Sequence, residues 1–284
     1  MKRYFVILFS AVVLFLAACT KPEKFENTLA KFHDAKADYI LVAAHRGGHN
    51  GHPENSLSAY QHAIEAGVDI GELDVRVTKD SIVFLMHDGK IDRTTNGTGI
   101  AEDFTWAELQ NFRLKMPDGT LTDEKIPTFG EVLNLVKGKM MIDIDIKTSR
   151  LKPVVDAVKQ SGTENQVFYF DDDYESLTKV RSLEPNAMLM PRAHNFHEAD
   201  SATVRFYPQV VHIDEKFYSL DLTQMLRNRH ARVWINALGE PDKMIRQGNM
   251  DGAMMKLLTN HANIIQTDEP EKILAYLRAK GLHD

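Results

Sequence analysis

Carboxylates alternate with aliphatic residues along two short stretches of the sequence. The stretch GELDVRV contains Glu72 and Asp74, and the stretch MIDIDIK contains Asp143, Asp145 and Lys147. Alternate side chains of an extended strand point to the same face, so each stretch gathers its charged residues on one face. Carboxylates on a covered face repel one another and lose hydration, and a divalent cation offsets both costs. The stretches therefore predict a metal site, although a polar edge strand or an internal cluster of ion pairs would give the same pattern.

Two histidines and an arginine stand at the ends of neighbouring apolar runs. His45 and Arg46 follow YILVAA, and His87 follows IVFLM. Imidazole titrates near neutral pH, so two histidines can divide the work of general acid and general base. Arg46 and Lys147 suit a ligand with anionic oxygens, and a guanidinium matches the geometry of a phosphate. Together with the acids, these residues predict a hydrolytic site for a phosphate compound.

Nine short β-rich runs must position these residues. They alternate with helical patterns, which is typical of βαβ units and a largely parallel sheet. The runs are YILVAAH, DIGELDVRVT, IVFLMHD, KMMIDIDIK, QVFYFD, AMLMPRA, VVHIDE, RVWINA and IIQTDE. Only a few residues separate the second run from the third, whereas a parallel crossover needs about a dozen or more. The third run therefore folds back as a hairpin, and the other eight predict an α/β fold, a TIM (β/α)8 barrel.

The register of this hairpin decides where His87 lies. A turn centred on residues 79 and 80 brings His87 opposite Glu72, on the face of the acids. A slip of one residue would place it opposite Leu73, on the other face. We predict the first register, with the turn centred on residues 79 and 80.

The N-terminal residues have the features of an export signal. MKR is basic, and the apolar run that ends at Ala18 is shorter than the roughly 20 residues of a spanning helix. LAAC resembles the lipobox of bacterial lipoproteins, which implies cleavage before Cys19 and attachment of lipid to its sulfur. An ordinary signal peptide followed by a chance cysteine is the alternative. We expect an exported protein anchored to a bacterial membrane, with the outer membrane favoured because Thr20, not an aspartate, follows the cysteine.

The chain accordingly divides into three parts. Residues 1–18 are a lipoprotein signal peptide, residues 19–38 are the lipidated cysteine with a tether or a first helix, and residues 39–284 are a single barrel domain. Residues from about 89 to 127 are rich in turn-forming residues and too long for a simple connection. We expect this segment to be an insertion over the barrel mouth, placed before the next barrel strand.

Composition excludes several classes of function. Cys19 is the only cysteine, which rules out an internal disulfide, cysteine catalysis and thiolate metal sites. The net charge of −6 argues against nucleic acid as a partner, because phosphate-backbone binders carry an excess of basic residues. Neither observation indicates an oligomeric state.

The combination of motifs resembles the glycerophosphodiester phosphodiesterase family. The resemblance rests on AHRGGHNGHPENS, GELDVRVTKD, FLMHD and IDIDIK, and more weakly on VWIN and QTDEP, in matching order and spacing. It implies a TIM barrel that hydrolyses small glycerophosphodiesters to an alcohol and glycerol 3-phosphate. It also implies one divalent cation, Ca²⁺ or Mg²⁺.

The resemblance assigns roles to individual residues. The acid/base pair and the phosphate-binding cations are implied to be His45 with His87 and Arg46 with Lys147. Glu54 and Asn55 match a Pro-Glu-Asn element, which would support the loop.

The metal ligands depart from the family at one position. Glu72 and Asp74 match two ligands, whereas Asp145 stands where the family usually has glutamate. Aspartate is one methylene shorter, so Asp145 or Asp143 would complete the acidic set.

Three interpretations of function remain open on the sequence. The first is hydrolysis of glycerophosphodiesters, and the second is a phospholipase that acts on intact phospholipid head groups. The third is a lipoprotein that binds anionic ligands without catalysis, which would not need both His45 and His87. Of the remaining histidines in the glycine-rich loop, we expect His49 and His52 to do no chemistry.

Overall fold

The computed structural model describes residues 24–48 and 50–284. The expectations for residues 1–18, for Cys19 and for His49 concern positions outside these ranges. In the described part, the strands are β1 (Leu41–Ala44), β2 (Ile70–Val77), β3 (Val83–Leu85), β4 (Met141–Ile146), β5 (Val167–Asp171), β6 (Met188–Ala193), β7 (Val210–Ile213), β8 (Arg232–Asn236) and β9 (Ile264–Thr267). Each strand lies within one of the nine predicted runs.

Helices occupy most of the connections between strands. They are α1 (Lys24–His33), α2 (Leu57–Ala66), α3 (Trp106–Leu109), α4 (Phe129–Val136), α5 (Leu151–Ser161), α6 (Tyr174–Leu183), α7 (Phe196–Phe206), α8 (Leu220–Asn228), α9 (Glu240–Arg246), α10 (Met250–Leu258) and α11 (Pro270–Ala279). Among the described residues, no helix combines the length and the apolar composition needed to cross a membrane.

The strands close into a barrel. Their order is β1-β9-β8-β7-β6-β5-β4-β2-β3, and a further pairing of β1 with β2 joins the ends. All pairings are parallel except that of β2 with β3. This arrangement confirms the predicted TIM barrel with a hairpin after its second strand.

The predicted register of the hairpin is wrong by one residue. Val75 pairs with Leu85, and the Thr78 amide donates to the Ile82 carbonyl at 2.9 Å, so the turn has three residues instead of two. Ser81, the last of them, adopts a left-handed φ of 71°, which is typical of three-residue hairpin loops. This register would place His87 on the outer face of the barrel. The strand ends at Leu85, however, so His87 leaves the sheet and lines the barrel mouth.

Helix α1 closes the bottom of the barrel, where the strands begin. Phe25 and Phe32 are buried in a cluster with the first residues of several strands. Phe32 stacks on Phe168 of β5 with ring centroids 5.2 Å apart. Residues 19–38 were expected to form a tether or a first helix, and residues 24–33 of this segment form a helix. Helix α1 covers the bottom end of the barrel core, and we call it the floor of the barrel.

A buried arginine holds this floor in place. The Arg232 side chain, at the start of β8, is 0% exposed and donates to backbone carbonyls only. Its acceptors are Lys31, Phe32, Asp34, Tyr39 and Asn263. Burial lowers the pKa of this guanidinium to about 10. Because the last carbonyls of a helix lack partners within the helix, Arg232 satisfies groups that would otherwise be buried and unpaired.

The segment between β3 and α4 has its own small core. Residues 89–127 contain α3, a 3-10 turn at Ala101–Asp103 and isolated β-bridges, but no barrel strand. Its apolar side chains pack with two hairpin residues, and the buried members of the cluster are Phe84, Met86, Ile91, Ala101, Leu109, Leu114 and Ile126. The segment is therefore anchored to the hairpin that carries His87.

Replacing Arg232 should destabilise the protein strongly. Arg232→Met leaves several buried carbonyls without donors, and we expect a loss of about 2–4 kcal/mol in the free energy of unfolding. Urea unfolding measures this loss. The matched control is Arg229→Met, because Arg229 is exposed and pairs with Asp200 at the surface; we expect a loss under about 1 kcal/mol there. Equal losses in the two variants would contradict the role of Arg232.

Candidate active site

A cavity of about 280 Å³ opens at the end of the barrel where the strands finish. In TIM barrels this is the end that carries active sites. The lining includes His45, Arg46, Glu72, His87, Asp145 and Lys147. The fold therefore gathers most of the predicted site residues around one space.

Three of the acids form a compact group. One carboxylate oxygen each from Glu72, Asp74 and Asp145 lies within 4.8 Å of the others. The register of β2 and β4 explains this, since Glu72 pairs with Asp143 and Asp74 pairs with Asp145. Asp143 lies one residue pair deeper in the barrel, so geometry favours Asp145 as the third member.

The buried acids repel one another strongly. The pKa of Glu72 is raised well above its usual value by burial and by the nearby charges of Asp74, Asp145 and Asp143. Burial and Asp74 raise the pKa of Asp145 to about 7, although Lys147 opposes this shift. The pKa of Asp143 is raised in the same direction, again mainly by burial. The group is therefore short of positive charge.

The donor set fits a hard divalent cation. Asp74 Oδ1 is buried and accepts no hydrogen bond within the described part of the chain. Lys147 Nζ lies 3.6 Å from this oxygen and closer, at 2.7 Å, to Asp145 Oδ2. Hard cations bind carboxylate oxygens, and a buried carboxylate oxygen without a partner is rare in folded proteins. Glu72, Asp74 and Asp145 are thus suited to hold Ca²⁺ or Mg²⁺.

Each of the two histidines is held by a carboxylate. His45 Nδ1 lies 2.7 Å from Asp268 Oδ1, just after β9, and His87 Nδ1 lies 2.8 Å from Asp88 Oδ1. Such contacts orient the ring and stabilise the protonated imidazole. Asp88 and Asp268 were missed as site residues, although they stand in FLMHD and QTDEP. Asp268 directly follows β9 and Asp88 directly follows His87, and these positions were the available signal.

A chain of ion pairs links His87 to Arg46 through the inserted segment. Arg93 donates to Asp88 at 2.7 Å and to Glu54 at 2.6 Å. Arg46 Nη1 in turn donates to Glu54 at 3.0 Å. The hydrogen bonds from Arg93 hold the pKa of Asp88 well below its usual range. Nothing in the sequence pattern singled out Arg93, because its partners are distant along the chain.

Arg46 has an unusual backbone conformation that serves the site. Its φ of 51° lies in the left-handed region, which is strained for a residue with a side chain. In this conformation the Arg46 amide donates to Glu72 Oε2 at 2.7 Å. Gly47 continues the turn at φ 84°, and a Cβ there would approach Ala59 Cβ to 3.0 Å. The glycine after Arg46 is thus required by conformation and by space.

Asn55 positions Asp74. Its Nδ2 donates to Asp74 Oδ2 at 2.8 Å, and its Oδ1 accepts from the Asp74 amide at 3.2 Å. Tyr60 donates to the same Oδ1 at 3.1 Å. The supporting role expected for Glu54 and Asn55 thus corresponds to specific contacts, with Arg46 and with Asp74.

The opposite wall of the cavity contains residues that the sequence did not indicate. Arg192, His212 and Gln266 line it, together with the ring of Trp234. Trp234 is fully buried and donates to Asn236 Oδ1 at 2.9 Å, so it belongs both to the core and to the cavity lining. His52 hydrogen-bonds to Ser58 instead and does not line this cavity.

Known proteins share this sequence pattern and fold. A glycerophosphodiester phosphodiesterase from Caldanaerobacter subterraneus subsp. tengcongensis is 35% identical over 154 residues, which cover 51% of this chain and 63% of that protein. A glycerophosphoryl diester phosphodiesterase structure from Parabacteroides distasonis matches with a TM-score of 0.79 and 26% identity, over 90% of this chain and 92% of that one. A phosphodiesterase structure from Oleispira antarctica shares the fold with a TM-score of 0.71 and 19% identity, over 84% of this chain and 97% of that one.

The family model of the glycerophosphoryl diester phosphodiesterases matches residues 45–233. These residues begin at the first site histidine and include the acids of β2 and β4. This chain belongs to the glycerophosphoryl diester phosphodiesterase family.

Proposed function

We propose that this protein hydrolyses glycerophosphodiesters to an alcohol and sn-glycerol 3-phosphate. The observation that carries the proposal is the arrangement of two carboxylate-held histidines and Arg46 around a buried trio of acids. The Oleispira relative was crystallised with sn-glycerol 3-phosphate, described as its product. That product fits the chemistry of this cavity.

The acids Glu72, Asp74 and Asp145 would hold one divalent cation, Ca²⁺ or Mg²⁺. A bound cation would neutralise their charge and stabilise negative charge on the phosphoryl oxygens. The cationic side chains of Arg46 and Lys147 border the same space and bind the remaining phosphoryl oxygens.

The two histidines divide the proton transfers. One imidazole takes a proton from the attacking water as the new bond from oxygen to phosphorus forms. The other gives a proton to the alcohol oxygen as its bond to phosphorus breaks. Asp268 stabilises the imidazolium of His45, and Asp88 stabilises that of His87, because each carboxylate lies within 2.8 Å of a nitrogen of that ring.

We also propose that Cys19 carries a lipid and that the protein is exported to a bacterial membrane surface. Support comes from the LAAC sequence and from the absence of any other cysteine.

Labelled fatty acid should be incorporated into the wild type and not into the Cys19→Ser variant. This variant should also be lost from the membrane fraction. Equal membrane association of the two proteins would contradict a lipid anchor.

Loss of either histidine should reduce hydrolysis of glycerophosphocholine. We expect His45→Ala and His87→Ala each to lower kcat by about 10²-fold or more, because each removes one proton transfer. Release of sn-glycerol 3-phosphate measures the rate. The matched control is His52→Ala, since His52 lies in the same loop region and outside the cavity, and its rate should match the wild type. Unchanged rates in the first two variants would refute the assignment.

The cavity volume favours small diesters over intact lipids. A cavity of about 280 Å³ is large enough for a small glycerophosphodiester, whereas the acyl chains of an intact lipid would have to lie outside it. We therefore expect glycerophosphocholine to be hydrolysed faster than phosphatidylcholine in vesicles or micelles. Faster turnover of the intact lipid would establish the phospholipase alternative, and binding without any hydrolysis would establish a non-catalytic binder.

Cation binding should stabilise the protein more at high pH than at low pH. The folded pKa of Asp145, about 7, lies above its unfolded value of about 3.9. Between these values the folded state binds more protons than the unfolded state, so stability without cation falls as pH rises from about 4 to about 7. A cation removes this loss, so the gain in Tm on adding Mg²⁺ or Ca²⁺ should be larger at about pH 8 than at about pH 5.

Thermal unfolding with chelator or with cation measures this difference. Asp145→Asn is the control variant, since it removes one of the titrating acids, and it should reduce both the pH dependence and the gain from the cation. A gain that is the same at both pH values in the wild type would contradict the predicted cation site.

A further inference from the structure

A buried histidine faces the cavity from the wall opposite the acids. His212 lies on β7, and the strand order puts β7 four strands from β2 in either direction around the barrel. Its side chain is 5% exposed. Its ring lies 5.1 Å from that of Phe170 and 6.3 Å from that of Trp234. The catalytic steps above give it no role.

The polar atoms of His212 are not satisfied by the protein. Its Nδ1 is buried and has no hydrogen-bond partner among the described residues. An unpaired N–H in such a place costs more than an unpaired lone pair, so the proton belongs on Nε2. Because Nδ1 is enclosed, the ring can meet a ligand through Nε2 only. His212 is thus a donor held against the cavity.

The imidazole is neutral under physiological conditions. Burial, and secondarily the positive charge of Arg192, lower the pKa of His212 to about 3. Arg192 itself pairs with Asp214 at 2.7 Å. A neutral N–H suits a hydroxyl oxygen, whereas the phosphate is attracted to Arg46, to Lys147 and to a cation held by the acid trio on the other wall. The two walls therefore present different chemistry to the two parts of a substrate.

Other polar groups extend this wall. Asn236 on β8 and Gln266 on β9 line the cavity beside His212, and Gln266 is 6% exposed. Together these side chains offer an imidazole and then two amides on the consecutive strands β7, β8 and β9. A ligand group with more than one hydroxyl matches this set better than an apolar chain does.

We propose that His212 is a specificity-determining residue that donates from Nε2 to a free hydroxyl of the glycerol group. This inference rests on the proposed function, because it names the part of the glycerophosphodiester that the wall selects. A site that hydrogen-bonds a hydroxyl discriminates against analogues that lack it, since its buried polar groups are then unpaired. Acylation of the glycerol hydroxyls would remove this match.

The test compares the binding of two monoesters that differ only in hydroxyl groups. sn-Glycerol 3-phosphate and propyl phosphate are titrated calorimetrically into the full-length protein with Mg²⁺ or Ca²⁺. We expect the wild type to bind sn-glycerol 3-phosphate at least about 10-fold more tightly, as the loss of a buried hydrogen bond implies. His212→Leu should bring this ratio close to one by weakening sn-glycerol 3-phosphate alone, and His212→Gln should restore part of it.

His197→Leu is the matched control, because His197 is exposed on α7 and should keep the wild-type ratio. Three results would overturn the proposal. They are a wild-type ratio near one, a His212→Leu ratio equal to that of the wild type, and an equal loss of affinity for both compounds in His212→Leu. Binding of the monoesters requires no turnover. If the wild type discriminates between them and His212→Leu does not, but no diester is hydrolysed, the result would therefore contradict the proposed function and support the role of His212.

Discussion

Repulsion among buried carboxylates is the constraint on which the site depends. Two adjacent strands, β2 and β4, place Glu72, Asp74, Asp143 and Asp145 side by side in the barrel. Burying a charge without compensation costs on the order of several kcal/mol, so these acids require either protons or cations nearby. Lys147 and Arg46 supply part of the positive charge, and the raised pKa values show that they do not supply all of it. The same deficit that destabilises the protein without a cation prepares it to bind one.

The barrel and its loops contribute differently to this arrangement. Strand residues place the acids, and their spacing follows directly from the ladder between β2 and β4. The histidines stand beyond the strand ends, where no ladder holds them, and each depends on a carboxylate from another segment or from the next residue. Arg93 then ties the inserted segment to Glu54 and so to Arg46. A change in the inserted segment can thus reach Arg46 through Glu54 without any contact with the cavity.

The sequence predicted those features that depend on local periodicity. Alternation along β2 and β4 was sufficient to place Glu72, Asp74 and Asp145 on one face, and the nine runs were sufficient to predict the barrel. The predicted hairpin register was wrong because it depended on the length of the turn. The residue types in the turn did not distinguish a two-residue loop from a three-residue loop. Arg93, Asp268 and His212 were missed because their significance comes from contacts between segments far apart in the chain. Arg232 was missed for the same reason, since four of its five acceptors lie about 200 residues away.

Helix α1 also determines which way the molecule faces. It packs on the bottom of the barrel, so the chain before Lys24 joins at the end opposite the cavity. The chain from Cys19 to Lys24 can span at most about 18 Å even when fully extended, because each of its five steps advances no more than about 3.6 Å. A lipid on Cys19 would therefore keep the floor of the barrel close to the bilayer, at the end opposite the cavity. With the floor towards the bilayer, the cavity would face molecules dissolved in the aqueous compartment, and the lipids of its own leaflet would lie beneath it.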